Sequence, residues 1–324
     1  MNDTLTEADI GLSHLVHRLR AKDRPLSRAT IFPLAELKFP QVVTVYDALI
    51  QDWQAKGFVL GSIELFELTL AGEHLVEQVC QQYSYHAMFY NGYYRLASTS
   101  PTHGLFCERV YGKNLCQHGM ADMGQLQILC DELQIRPGMS LLDFGCGDGR
   151  ISEYISDATG AFMHGIDIAG EAIAHAQRRT YTKRDRLQFT HADLEIKSDV
   201  LSPKAFDRIF AIDSISFVRD QLVILNILLG ALRPMGKMGV FYFSRDPVEA
   251  GETVLASILN NLHLHYTTRD LSKQNVLHWQ LKKQVLLELK PIFDQEGSQF
   301  LYKNRLAECD GWEYSRRYLY IINT

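Results

Sequence analysis

"SLLDFGCGDGR", residues 140–150, decides the reading of the fold. An apolar run ends on an acid, Asp143, and three glycines follow in alternation, Gly145, Gly147 and Gly149. A strand that breaks into such a turn before a helix lets backbone approach a ligand closely, because glycine has no Cβ and accepts left-handed conformations. The dinucleotide fingerprint G-x-G-x-x-G needs its third glycine for helix packing and seats a pyrophosphate on the helix N-terminus. Here the run is G-x-G-x-G, with acids before it and inside it at Asp143 and Asp148. Those carboxylates would repel a pyrophosphate.

From Pro137 onward the same texture repeats. "MSLLDFG" leads into a helix near Asp148, "AFMHGIDI" into a helix from about Gly170, and "RLQFTHAD" follows. "AFDRIFAID" precedes a helix around "QLVILNILLGAL", and "RPMGKMGVFYFS" supplies a fifth strand. Apolar strands alternating with helices predict an α/β fold, a mostly parallel Rossmann-like sheet with helices on both faces. Its ligands belong at the carboxyl ends of the strands. Further helices are expected near "PVEAGETVLASILNNL" and from Leu271 to Phe293, as a cover for the pocket. "RRYLYIIN" (316–323) reads as a last strand at the sheet edge.

Successive strands end on acids. Asp143 closes the first, Asp167 in "GIDI" the second, 24 residues later, and Asp193 in "HADLE" the third. S-adenosylmethionine carries no phosphate but a sulfonium, an ammonium and a carboxylate, and Asp143 suits the ammonium. Asp167 suits ribose hydroxyls, which a nicotinamide enzyme would also place there. Asp193 suits the adenine amino group.

These residues resemble the class I S-adenosylmethionine-dependent methyltransferases over roughly Gln125 to Ser244, through "LLDFGCGDG", "GIDI", "HADLE", "FDRIFAIDSISFV" and "LRPMGKMGVFYFS". The resemblance implies a seven-stranded sheet in which a late strand, here "RRYLYII", is inserted antiparallel. It implies that Asp143, Gly145, Cys146 and Gly147 hold the methionine end of the cofactor, Asp167 and Ile168 the ribose, and Asp193 and Leu194 the adenine. "YGKNLCQHG" looks like the cofactor-covering segment of small-molecule methyltransferases such as the phosphoethanolamine and glycine/sarcosine enzymes. Gln117, His118 and Gly119 would then close over the methionine tail.

Methyl transfer is an in-line displacement that depends mainly on alignment and exclusion of water, so a base is optional. The acceptor belongs beyond the fourth strand, at "AIDSISF", where Asp213 could orient an amine, accept a proton or bind the cofactor. The Asp/Asn-Pro-Pro-aromatic motif of nucleobase methyltransferases is replaced here by Asp213-Ser214-Ile215-Ser216. His118 is the candidate histidine base. Tyr111 is a further catalytic candidate, and with Tyr242, Tyr266 and Trp279 an aromatic wall. His263 and His265 alternate, but without an acid cluster, so no metal is expected.

The rest of the chain sets limits. A chain of 324 residues, 46% hydrophobic and 22% charged, is ordinary for a globular protein of one elaborated domain or two units. A net charge of −5 gives no general attraction to nucleic acid or anionic membrane. Six scattered cysteines suggest free thiols in the cytoplasm, and no stretch has the character of a signal peptide or membrane span. Residues 1–80 read as a winged-helix-like or helical domain, with a helix ending at Gly57 and a hairpin through Gly61. Seven basic against eleven acidic residues there disfavour DNA binding and leave packing, or dimerisation into a homodimer. Residues 81–125, dense in tyrosine, read as a helical linker and active-site cover, and 126–324 as the cofactor-binding domain with a helical insertion at about 249–315. The leading expectation is a cofactor-dependent methyltransferase of a small-molecule acceptor at N, O or C. The alternatives are a cofactor-sensing regulator that binds DNA or protein, and a nicotinamide-dependent oxidoreductase.

Overall fold

The computed structural model describes residues 5–310 and 315–324. The chain forms two units, Met1–Tyr93 with Gln299–Ala307, and Tyr94–Ser298 with Glu308–Thr324. The sequence placed a boundary near residue 80. The structure places it at Tyr93, because the aromatic helix that follows is packed into the first unit through Tyr85, whose ring meets those of His14 and Phe39.

The first unit begins with α1 (Glu7–Arg20), β1 (Leu26–Ser27), α2 (Arg28–Lys38) and α3 (Pro40–Ala55). A hairpin of β2 (Val59–Gly61) and β3 (Leu65–Leu68) and then α4 (Leu70–Gln82) follow. β3 lies between β1 and β2 in a three-stranded antiparallel sheet. Thr6 and Asp9 form a capping box on α1. Asp9 also accepts from the indole N–H of the buried Trp53 at 2.9 Å, which ties α1 to α3. α5 (Tyr85–Ala97) carries the chain out of this unit. The helix Gln299–Ala307 returns to it, with Asn304 donating to the Leu37 carbonyl and Lys303 pairing with Glu36.

The second unit continues with α6 (Pro101–Tyr111) and α7 (Met123–Glu132), then β4 (Ser140–Phe144), α8 (Arg150–Thr159), β5 (Phe162–Asp167), α9 (Gly170–Arg179) and β6 (Leu187–His191). β7 (Phe206–Ile212), α10 (Gln221–Ala231), β8 (Leu232–Ser244), α11 (Val254–Asn261), β9 (His265–Asp270), α12 (Ser272–Glu296) and β10 (Arg316–Asn323) complete it. The seven strands lie in the order β6-β5-β4-β7-β8-β10-β9. β6, β5, β4, β7 and β8 are parallel, and β10 is antiparallel to both of its neighbours.

The last strand is therefore interior and not at the edge. β9 takes the edge, and its side chains are mostly exposed. "HYTTRD" has no apolar alternation to announce it, whereas β10, covered on both faces, is apolar throughout its centre.

Alternation along the strands builds two cores. Leu141, Phe210, Phe241 and Leu319 face α7, α8 and α9, where Leu129, Ile155 and Ile173 pack. Leu142, Ile209, Val240 and Tyr320 face α10 and α11, where Leu225, Leu228 and Leu255 pack. α10 is apolar nearly all round and starts on an Asp220 cap that accepts from the Val223 amide. Strand order reverses between β4 and β7, and their carboxyl ends form the crevice where an open α/β sheet binds its ligand. Among the described residues no helix is long and apolar enough to cross a membrane.

Candidate active site

A cavity of about 430 Å³, counted to its open mouth, lies at that crevice. Asp143, Gly145 and Cys146 from the end of β4 line it, with Ile212 from β7 and Gln117, His118 and Gly119 from the covering segment. Tyr94, Cys116 and Asp148 complete its polar wall.

The glycine turn is shaped by what approaches it. Gly147 has φ of 55°, and a Cβ there would stand 2.2 Å from the hydroxyl of Tyr94. Gly145, at φ of 79°, faces Ser214, whose hydroxyl donates to the Phe144 carbonyl. Any side chain at either position would be strained by backbone and blocked by a neighbour.

Asp143 is 2% exposed and accepts from the Ser152 hydroxyl at 2.6 Å. Burial pushes its carboxyl up to about 7, the Ser152 bond opposes this, and Asp167 adds to it. Asp148 and Asp167 are likewise raised by burial. Arg150 and Arg179 moderate Asp148, and backbone amides moderate Asp167. Asp167 accepts from the amides of Gly147 and Ala169, both at 2.8 Å, and so braces the turn.

Asp213 is engaged differently. Arg317 of β10, itself 1% exposed, grips both of its oxygens with a two-pronged pair, and the Met120 amide donates to one of them at 2.8 Å. Gln125 receives Arg317 Nε–H at 3.1 Å, and Phe241 lies under the guanidinium. Asp213 itself has φ of 56°, a left-handed conformation that costs an L residue roughly 1–2 kcal/mol and is held here by this clamp. Gly119 is needed beside it, since a Cβ there would lie 2.7 Å from the Asp213 carboxylate. The carboxylate thus fastens the covering segment to the end of β7, and its lone pairs are spent on that task.

Gln117 is 3% exposed, and its Oε1 accepts from the Leu115 amide. Among the described residues its Nε2 has no hydrogen-bond partner although it is buried at the cavity wall. An unsatisfied buried donor costs about 1–3 kcal/mol, so it calls for an acceptor from a ligand. His118 sits beside it with Nε2 3.1 Å from Glu308.

The other predicted residues fall elsewhere. Ile168 is half-buried with its carbonyl accepting from His191, Asp193 accepts from the Glu195 amide, and Leu194 is buried. Neither these three residues nor Asp167 is among those lining the cavity. Tyr111 is 1% exposed and packs between Phe106 and the ring of His278, away from the cavity. Tyr242 and Tyr266 pack on Tyr320. Reading the sequence missed Arg317, Glu308 and Lys282. Two adjacent arginines opening an apolar strand were the one visible signal, since a strand interior rarely admits an unpaired charge.

A seven-stranded sheet of this order, with one antiparallel interior strand and a glycine turn leading from its first parallel strand in the chain, is a Rossmann-like fold, the one that class I methyltransferases share. Residues 142–238 match the Methyltransferase domain family. Phosphoethanolamine N-methyltransferase 2 of Caenorhabditis elegans is 23% identical over 220 residues, 63% of this chain and 50% of that protein. The 27-O-demethylrifamycin SV methyltransferase of Amycolatopsis mediterranei is 28% identical over 157 residues, 44% of this chain and 56% of that protein. The chain thus spans about half the length, or less, of the phosphoethanolamine relatives it matches. Among solved structures, phosphoethanolamine N-methyltransferase 2 of Haemonchus contortus, in complex with phosphomonomethylethanolamine and S-adenosylhomocysteine, shares the fold. Its TM-score is 0.58 at 16% identity, covering 72% of this chain and 59% of that one.

Proposed function

We propose that the second unit is an S-adenosylmethionine-dependent methyltransferase acting on a small-molecule acceptor at N, O or C. One observation carries this reading. A buried carboxylate, Asp143, and a buried amide donor without a partner, Gln117, face the same cavity, a pairing that matches the ammonium and carboxylate of an amino-acid end. When bound, the cofactor supplies a methyl group activated by a sulfonium. Asp143 accepts from the ammonium, Gln117 donates to the carboxylate, and Asp167 holds the turn. The covering segment, fastened by Asp213, excludes water. The relatives' names support a small-molecule acceptor.

The exposed face of α3 carries Asp47, Gln51 and Asp52 and no basic residue, which supports packing or homodimerisation over nucleic-acid binding for the first unit. Six free thiols support a reducing, cytoplasmic setting.

Thermal shift and calorimetry with S-adenosylhomocysteine and with NAD test the cofactor. Stabilisation by the first alone is expected, and a response to NAD alone overturns the reading. Incubation with methyl-labelled cofactor and fractionated metabolites then tests transfer. Tight cofactor binding with no labelled small molecule would count against it.

A further inference from the structure

The segment that covers the cavity runs from Lys113 to Ala121, between the left-handed Gly112 that ends α6 and the Asp122 cap of α7. Leu115, Cys116, Gln117, His118, Gly119 and Ala121 of this segment line the cavity. The Leu115 amide donates to the Lys113 carbonyl and to the Gln117 side chain, and the Cys116 amide to Asn114, so these bonds turn back on the segment itself. The Met120 amide instead reaches across to the Asp213 carboxylate at 2.8 Å. Behind Asp213 stands Arg317. Its backbone N–H donates to the Ser272 hydroxyl at 3.1 Å, its carbonyl accepts from the Leu271 amide at 2.8 Å, and its Nε–H reaches Gln125 at 3.1 Å. Arg317 is thereby fixed at backbone and head group, and the carboxylate it grips cannot follow the segment outward. Stability alone does not ask for this pair. Buried ion pairs can often be replaced by apolar residues without loss, and these side chains are only 1% and 8% exposed. Asp213 also carries the cost of a left-handed backbone, with φ of 56°. What the pair supplies is a fixed anion where the covering segment passes the end of β7.

We infer that Asp213 and Arg317 are positioning residues of the cofactor site: the pair is the catch that holds the covering segment shut, and the spent cofactor leaves when the Met120 amide parts from Asp213. This rests on the methyltransferase reading. Neither residue lines the cavity, so both act through the segment. The catch lies three residues from Gln117, and closing it sets the buried Nε2 of that side chain at the cavity wall. Gly119 permits the close approach, since a Cβ there would lie 2.7 Å from the Asp213 carboxylate. An amide bonded to a carboxylate is held more strongly than one bonded to a neutral group. It is nevertheless a single bond, which can be broken and remade each time the ligand exchanges.

Asp213→Gly/Arg317→Met removes the catch, because glycine adopts the left-handed backbone without strain and methionine keeps the bulk of the arginine stem. The first measurement is hydrogen exchange at the Met120 amide in the ligand-free full chain. This amide is expected to be protected in the wild type and to exchange about 10- to 100-fold faster in the double variant, the worth of one hydrogen bond to a charged group. The second is stopped-flow displacement of S-adenosylhomocysteine, which is expected to dissociate faster by a similar factor and to associate no more slowly. Asp213→Asn/Arg317→Met keeps an oxygen for the amide and tolerates the left-handed backbone, so it is expected to fall between the wild type and the glycine variant in both measurements. A merely structural pair predicts another pattern: slower association at a damaged site, or equal behaviour of the two double variants. Either of these overturns the inference, as does an unprotected Met120 amide in the wild type or unchanged exchange in the glycine variant. Failure of the wild type to bind S-adenosylhomocysteine would sink the methyltransferase reading, whereas exchange at Met120 in the ligand-free protein decides the catch on its own.

Discussion

Asp143→Asn should make the ligand-free protein more stable at pH 8 while weakening its cofactor site. The wild-type carboxyl is pushed up to about 7 by burial, whereas an unfolded aspartate titrates near 3.9. Below about pH 4 both states are protonated and the group contributes nothing. As pH rises from 4 to 7 the unfolded chain ionises while the folded carboxyl retains its proton, so stability falls. Above 7 the cost is complete. About three pKa units at about 1.4 kcal/mol each set a ceiling of about 4 kcal/mol. Asparagine keeps an acceptor for the Ser152 hydroxyl and cannot ionise. Part of the cost passes to Asp167, whose carboxyl is raised in the same direction, so roughly 2–4 kcal/mol of stabilisation at pH 8 is the expectation. Urea denaturation at pH 8 and at pH 4 measures it, with the advantage of the variant vanishing at pH 4. Calorimetry should show at least a tenfold loss of affinity for S-adenosylhomocysteine, since the partner of its ammonium has lost its charge. An equal offset at both pH values, or a variant less stable at pH 8, would refute the reasoning.

Gln117→Leu removes a buried donor that lacks a protein partner. Thermal melting should stay level or rise slightly, while calorimetric affinity for S-adenosylhomocysteine drops by about 5- to 15-fold, the worth of one hydrogen bond of about 1–1.5 kcal/mol. Gly147→Ala should abolish cofactor binding in calorimetry, because its methyl would collide with Tyr94. Retained affinity would mean that the turn moves freely. Arg317→Met strands the Asp213 carboxylate and should cost about 3–5 kcal/mol, whereas Asp213→Asn/Arg317→Met should cost far less than the sum of the single changes in a urea-denaturation cycle.

Much of the sheet was legible because parallel strands buried on both faces are written as short apolar runs, and "SLLDF" and "FDRIFAI" could be read as such. β9 was not legible, since an exposed edge strand carries no apolar pattern. At the site, the glycine turn and Gln117, His118 and Gly119 were visible from local spacing and resemblance, and they meet at one cavity. Glu308 and Lys282 lie 190 and 164 residues beyond His118 in the chain. Only the folded arrangement reveals that a lysine on α12 and a glutamate past residue 307 stand behind that ring.

Tyr111 shows the same limit from the other side. An aromatic next to a covering loop reads equally well as a pocket wall or as core, and its packing on His278 makes it core. The acids at the strand ends make the point about role most clearly. Asp143 meets a neutral hydroxyl and is left ready for a cation. Asp167 accepts from backbone amides and shapes the turn. Asp213 is consumed by Arg317 and the covering segment. One residue type at equivalent positions thus performs three tasks, because the partner that reaches each carboxylate comes from a different part of the chain. Arg317 arrives on the strand inserted between β8 and β9. The insertion of that strand therefore does more than extend the sheet: it brings the guanidinium that holds the Asp213 carboxylate, which in turn holds the Met120 amide of the covering segment.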